Sequence, residues 1–469
     1  MSPWLLAALL AAAPQAAQDV SPAVAADATP SVNSTPSATT QPVSLAQARA
    51  EGRKNTQALL ALLDLERAQL DVHLARSPLL PQLGFSTSAG GAVIGRQRIF
   101  TTIPNSTGDG FVQEAVEVPR ATRGNYDISF NLSQVIYDRA RWKQLEQSGV
   151  IADASKSQSV EQADAAELEA IARFFTLYRT QATIRVLEAT VQRSESQLER
   201  ARALFQAGRV GRGEELSALV NLGNDRINLV QRRAQLVQDQ GQLAVWLARP
   251  GTAPIAAEDP GVLTAEPAPA PALEPTLVEA RERRPLLRAL HQQVRVAELS
   301  GEIAGSGYYP TLGANGSYSR GGSQAGAVFT EPRLQNTVSG NVVLQWQLFS
   351  GLSTSAEVSK ARASQRTAEL NLAQAERELE ASLRAAVELL ATRIDAARLS
   401  AENRESAAQS LALAEERFKA GAGSTLEVRD AQLSLTQAEL TLLGNRVDVE
   451  IARYSLMRAM GTLSPGETQ

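Results

Sequence analysis

In residues 126–137, YDISFNLSQVIY, apolar and polar side chains alternate. Tyr126, Ile128, Phe130, Leu132 and Ile136 fall on one side; Asp127, Ser129, Asn131 and Ser133 fall on the other. Residues 338–349 repeat the pattern, with Val338, Val342, Leu344, Trp346 and Leu348 against Ser339, Asn341, Gln345 and Gln347. A period of two predicts β-strands. Weaker strands are predicted before each, near residues 83–91 and 311–320, and the Gly-, Thr- and Ser-rich stretches between the members of each pair read as long connecting loops. Elsewhere the period lengthens. Leu379, Leu383, Ala386, Leu390, Ile394, Ala397 and Ala401 recur at intervals of three and four, which predicts a helix whose seam alternates large and small residues.

Proline placement sets how long the helices can be. Proline is absent from residues 120–249 and again from 333–464. Within these stretches, residues 139–207 hold a single glycine, Gly149, and residues 352–420 hold none. Both are rich in Ala, Leu, Glu, Gln and Arg, which favour helix. At 1.5 Å per residue each would extend about 100 Å, too long for a compact domain, so both are expected to pack in a coiled coil or helical tube.

The chain repeats itself. SLAQARAEGR at 44–53 resembles TLVEARERRP at 276–285, and LPQLGFSTSAGG at 80–91 resembles YPTLGANGSYSRGG at 309–322. LFQAGRVGRGEEL at 204–216 resembles RFKAGAGSTLEVR at 417–429, aligning Phe205 with Phe418 and Gly208 with Gly421. Three matched blocks in one order imply internal duplication. The expected organisation is an export signal over residues 1–17, from the short apolar run after Trp4, and a flexible leader over 18–43. The first repeat follows over 44–249, a Pro/Ala-rich connector over 250–275, the second repeat over 276–462 and a tail over 463–469.

Strands of ten to twelve residues with one apolar and one Ser/Asn/Gln face match a transmembrane β-barrel, lipid outside and water inside. Ile128, Phe130, Leu132, Val342, Leu344 and Trp346 are the expected membrane-facing residues. Tyr137, Tyr308, Tyr309 and Phe349 fall at strand ends, where bilayer interfaces favour aromatics. Four strands per chain cannot close a barrel, and an open edge in lipid leaves backbone groups unpaired, so the barrel must be shared between chains. A cyclic oligomer follows from the physics; its number does not.

Composition narrows the chemistry. The 469 residues are 43% hydrophobic and 20% charged, as expected of a folded chain. The absence of cysteine excludes disulfide scaffolds, thiolate zinc sites, cysteine nucleophiles and lipid attachment at cysteine. His73 and His291 are the only histidines, too few for a multi-histidine metal centre in one chain. A net charge of −4 argues against a nucleic-acid partner. There is no Gly-rich phosphate loop, no histidine-based acid–base pair and no nucleophile setting, so neither an enzyme nor a resident cofactor or metal is expected.

The order helix, strand pair, very long helix, glycine-containing tip and returning helix, taken twice, resembles the TolC-like outer-membrane efflux proteins. NLSQVIYDRARW and VLQWQLFSGLST resemble that family's strand-to-helix transitions, and ERFKAGAGSTLEVRDAQ resembles its tip motif. The resemblance covers residues 44–462. It implies a trimeric 12-stranded β-barrel continuous with a long α-helical barrel, built from an internally duplicated protomer. It further implies an outer-membrane exit duct that works with a periplasmic adaptor and an inner-membrane RND or ABC transporter, which supplies the energy. Having no cysteine, the chain resembles the family's unlipidated branch.

The tips also have a local reading. Gly208 and Gly421 end long helices, as left-handed caps do, and Ser424 or Thr425 supplies an N-cap to the returning helix. The resemblance adds that Gly208, Arg209, Val210, Gly211, Gly421, Ala422, Gly423 and Ser424 meet adaptor hairpins at a periplasmic mouth. Glu427 and Asp430, three apart on one helix face, would line its constriction. Three copies would crowd six carboxylates there, favouring cations and binding a multivalent cation as a plug. Phe418 and Gly423 occupy slots where relatives place a polar ring and a basic residue that tie neighbouring hairpins. A reading of another class is a non-channel periplasmic coiled-coil adaptor or scaffold, which would carry one hairpin flanked by small all-β domains.

Overall fold

The computed structural model describes residues 41–104, 111–261, 267–323 and 336–463. The expected export signal, most of the leader and nearly all of the tail lie outside the described residues. Short helices α1 (Leu45–Gly52) and α2 (Thr56–Arg76) lead into strand β2 (Gln82–Ile94). Strands β3 (Gln97–Pro104), β4 (Phe111–Val118) and β5 (Ala121–Tyr137) follow. Then come the 68-residue helix α3 (Arg139–Gln206) and its return, α4 (Arg212–Trp246). The second half runs through α5 (Leu273–Arg283), α6 (Pro285–Gly305), β7 (Thr311–Gly322) and β8 (Asn336–Gln345). It ends in the 67-residue helix α7 (Ser353–Lys419) and its return, α8 (Thr425–Met460).

Each long helix is flanked twice. Helix α3 packs on α2 along its first half and on α4 along its second; α7 packs on α6 and then α8 in the same way. The halves join through α3, which touches both α6 and α8. Packing therefore runs α2–α3–α6–α7 on the sheet side and α4–α3–α8–α7 on the far side, with α2, α4 and α7 at the margins. The core is thickest between these tiers. There Phe174, Phe175, Leu177 and Leu243 are fully buried with Val43 and Ile255. A second cluster joins Leu277 and Leu287 to Leu379, Leu383 and Val449.

Two expectations about irregular segments are corrected here. Gln41–Val43, at the end of the expected leader, is strand β1, paired in parallel with β6 (Ile255–Ala257) inside the expected connector. Strands of three residues are too short to show a period. What holds them is burial, since Val43 and Ile255 are both fully buried. The second correction concerns the expected loop between the first strand pair, where β3 and β4 form an antiparallel hairpin. Ile99 faces Val116, Ile103 faces Val112, and Arg98 bridges Glu117 at 2.9 Å. Such cross-strand pairs stabilise a ribbon in which neighbours such as Ile99 and Phe100, or Phe111 and Val112, are both apolar, so no clean period shows. The expected loop of the second pair lies largely outside the described residues.

Candidate functional site: a two-faced sheet and the helical tips

Four strands form one antiparallel sheet in the order β2–β5–β7–β8. Its register sorts side chains by face. Phe85, Phe130, Tyr318 and Val338 lie in one row across it, with Phe130 ring centroids 5.2 Å from Phe85 and 6.4 Å from Tyr318. Leu132 and Leu83 form the next row on that face, and Leu312 and Leu344 a row further along. The opposite face carries Ser86, Ser129, Ser319 and Thr337 in one row and Asn131, Ser317 and Ser339 in another. Paired hydroxyls meet at 2.7 Å between Ser86 and Ser129 and between Ser317 and Ser339. Both edge strands, β2 and β8, end the sheet without a neighbour among the described residues.

The structure places Ile128, Phe130, Leu132, Val342 and Leu344 on the apolar face as expected from the alternation. Two details differ. A register shift between Val135 and Tyr137 opposes Tyr137, not Ile136, to Leu312. An extra residue in one strand exchanges its faces beyond that point. Strand β8 stops at Gln345, so Trp346 lies past the ladder, where its indole donates to the Tyr308 carbonyl at 3.1 Å. Gly351 and Leu352, both left-handed with φ of 61° and 69°, turn the chain there into α7. Arg139 stacks over Tyr309 at 4.3 Å, joining the two repeats where sheet meets helix.

At the far end lie two turns. Helix α3 closes with Gly208 at φ +66° and Arg209 N–H donating to Leu204 at 2.9 Å; α7 closes with Gly421 at φ +74° and Ala422 N–H donating to Arg417 at 2.9 Å. This is the left-handed helix end that glycine adopts without strain. Ser424 caps α8 by accepting from Glu427 N–H at 3.1 Å. Gly423 allows a close approach, since a Cβ there would stand 3.0 Å from the Phe418 nitrogen, tighter than an ordinary contact. Arg209, Val210, Gly211 and Ala422 complete the two turns.

The two acidic positions differ in their surroundings. Glu427 is bridged by Arg417 of its own hairpin at 3.2 Å. Asp430 is exposed, has no ion pair among the described residues, and lines a cleft of about 720 Å³ between α3, α4 and α8. Gln197, Asn221, Asn224, Asn228 and Phe418 line the same cleft. Sequence reasoning missed the ion pair that crosses this cleft, Arg429 to Asp225. The partners are 204 residues apart, and no local spacing links them. Among the described residues no His, Asp and Glu cluster is arranged to hold a metal ion, and no helix is long and apolar enough to cross a membrane.

The family model described as "Outer membrane efflux protein" matches residues 53–249 and 276–462. Solved structures with the same fold include CusC, studied for conformational changes accompanying folding and transmembrane channel formation. It is 18% identical over 89% of this chain and 92% of that chain, with a TM-score of 0.73. The outer membrane protein VceC of Vibrio cholerae is 15% identical over 89% of this chain and 96% of that one, TM-score 0.69. The MtrE outer membrane channel of Neisseria gonorrhoeae, in its open state, is 18% identical over 91% of each chain, TM-score 0.66. No curated protein matches the sequence.

Proposed function

The chain belongs to the outer membrane efflux protein family, and from that premise we propose that it is the outer-membrane exit duct of a tripartite efflux or type I secretion system. It conducts substrates passively from periplasm to exterior. The observation that carries this reading is the sheet with one apolar face, one hydroxyl- and amide-lined face, and two edges without a neighbour among the described residues. Lipid satisfies the first face and water the second, but only if the edges are paired. The strands alternate in direction, so β8 of one copy meets β2 of the next in antiparallel fashion. Three copies complete twelve strands and bring the α4 and α7 margins together into a helical tube, a channel reading that the likeness in fold to the MtrE outer membrane channel supports. The described residues form two long helical hairpins and an open four-stranded sheet, beside two small two-stranded pairs, unlike the single hairpin and small β domains of an adaptor or scaffold.

In this reading the tips form the periplasmic mouth. Gly208 to Gly211 and Gly421 to Ser424 contact a periplasmic adaptor, and an RND or ABC transporter in the inner membrane drives export. Glu427 and Asp430 line the constriction, with Asp430 the stronger because Arg417 offsets Glu427. Purified protein in detergent should run as a heat-sensitive trimer and insert in planar bilayers. Asp430→Ala should raise single-channel conductance severalfold and weaken block by multivalent cations. A soluble monomer would remove the duct reading, and unchanged conductance and block would remove the gate assignment.

A further inference from the structure

The apolar face of the four-stranded sheet carries one charge. Reading away from the helices, its rows run from Leu312 and Leu344, through Leu132 with Leu83, to Phe130 with Tyr318 and Val338. In the next row Ile128 stands beside Arg320, and Arg320 pairs across the ladder with Asn336. Among the described residues of these four strands no other Asp, Glu, Lys or Arg falls on that face; Asp127 and Arg123 both take the opposite parity. An arginine facing lipid is costly at the middle of a bilayer and nearly neutral at its edge, so depth decides what it can do. From Leu312 to Arg320 the strand advances roughly 27 Å, or about 20 Å along the membrane normal at a tilt of ~40°. The apolar band of a barrel is about 25 Å tall, and the exposed Trp346, Leu348 and Phe349 extend this one beyond Leu344. In the duct reading Arg320 therefore stands at the outer rim of the band, at headgroup level.

Its surroundings suit a bulky anionic headgroup. Tyr318 and Tyr126 flank it one row to either side, as interfacial tyrosines do. The Tyr318 hydroxyl donates to Asn336 Oδ1 at 3.2 Å, which engages the acceptor of that amide and leaves its nitrogen to donate. In the two rows beyond Arg320 the face holds Tyr126, Ala89 and Gly322, then Gly91 and Gly124, so Tyr126 is the only side chain there larger than a methyl group among the described residues. Arg320 lies on β7, an inner strand, so a second copy pairing with the sheet edge does not cover it.

We infer that Arg320, with the Asn336 amide, binds a phosphate of the glycolipid that forms the outer leaflet of the outer membrane. The inference rests on the duct reading above, which puts the helical end of the sheet in the periplasm and its other end at the cell exterior. The lipid at that end is a phosphorylated, multiply acylated disaccharide. Its acyl chains lie against Phe130, Tyr318 and Val338, a phosphate meets the guanidinium fork, and the sugars lie on the small-residue rows beside Tyr126. Inner-leaflet phospholipid offers the same phosphate chemistry but meets the sheet at the opposite rim, near Leu344.

The test titrates the purified oligomer in detergent with bis-phosphorylated lipid A, with the same lipid stripped of its phosphates, and with phosphatidylglycerol, counting bound lipid by native mass spectrometry. The parent should hold lipid A about tenfold more tightly than either of the others. Arg320→Gln should lose that preference, Arg320→Lys should keep part of it, and Ser319→Gln, on the opposite face, should keep it whole. A second readout leaves Arg320 in place. The chain has no cysteine, so an environment-sensitive fluorophore can be attached at Thr87→Cys, in the same row. Its emission should shift with lipid A and not with the dephosphorylated lipid, and millimolar inorganic phosphate should not reverse the shift. Equal binding of the three lipids, a preference that survives Arg320→Gln, or displacement by inorganic phosphate overturns the inference. A parent that forms neither a heat-sensitive oligomer nor a conducting pore removes the duct reading instead.

Discussion

Leu344 and Ser339 sit on the same strand and differ only in the parity of their positions. If the apolar face meets mid-bilayer lipid, Leu344→Arg weakens insertion by about 2–4 kcal/mol, whereas Ser339→Arg inserts normally and alters ion selectivity. The yield of heat-sensitive oligomer in outer-membrane fractions measures the first, and reversal potentials in planar bilayers the second. Normal insertion of the arginine at 344 would mean the faces are reversed. A second residue reports on the helices. Glu450 on α8 is 5% exposed; burial raises its carboxyl above the ordinary range, while Arg453 at 3.0 Å pulls it back. A raised folded value means that the group's contribution to stability is fully present below the ordinary carboxylate range and is lost as pH rises through the folded value. Glu450→Gln should therefore be more stable than the parent at neutral pH. The gap should close below about pH 4, where both carry a neutral group; thermal melts at the two pH values check it.

Among the elements, the least conspicuous in sequence hold the most buried ground. Strands β1 and β6 contribute Val43 and Ile255 to the cluster around Phe174 and Phe175. Nearby, Arg49 pairs with Glu167 at 2.7 Å and donates to the Leu463 carbonyl at 2.9 Å, while Arg249 pairs with Glu51 at 2.6 Å. Segments from both ends of the described chain are stitched to α3 at its midpoint. Ile255→Ala should cost about 2–5 kcal/mol, read as a lowered denaturant midpoint with the oligomer otherwise intact. The long helices were legible from the absence of proline and glycine, and their ends from Gly208, Gly421 and Ser424, because capping is a local interaction. The β3–β4 hairpin and β1–β6 pair were not. Their pairing depends on segments brought together by other elements, and neither shows a clean period.

For the whole molecule, the margins matter more than the interior. Helix α4 exposes Leu216, Val220, Ile227, Val230 and Val237 at intervals of three, four and seven, a seam of coiled-coil spacing with nothing on it in one copy. Helix α2 exposes Leu59, Leu63, Leu70 and Leu74 in the tier nearer the sheet. In the duct reading, a stripe of this extent is where neighbouring copies associate. Val220→Glu with Val230→Glu should abolish the oligomer on unheated gels while leaving the helical circular dichroism of the chain unchanged. Oligomer surviving both changes would place the seam elsewhere.

The amino-acid order by itself determined the two periods, the duplication, the helix caps and the two faces of the strands. The periods, caps and faces are each written within a dozen consecutive residues and follow from backbone geometry and the avoidance of water; the duplication is written in three matched blocks along the chain. Only the tertiary structure decided that β8 stops before Trp346, that a shift at Val135 re-aims Tyr137, and that Arg417 offsets Glu427 while Asp430 stands open. It alone brought Arg429 to Asp225 across 204 residues. A buried charge must find its partner wherever packing delivers one, and spacing along the chain carries no record of which helices come to lie side by side.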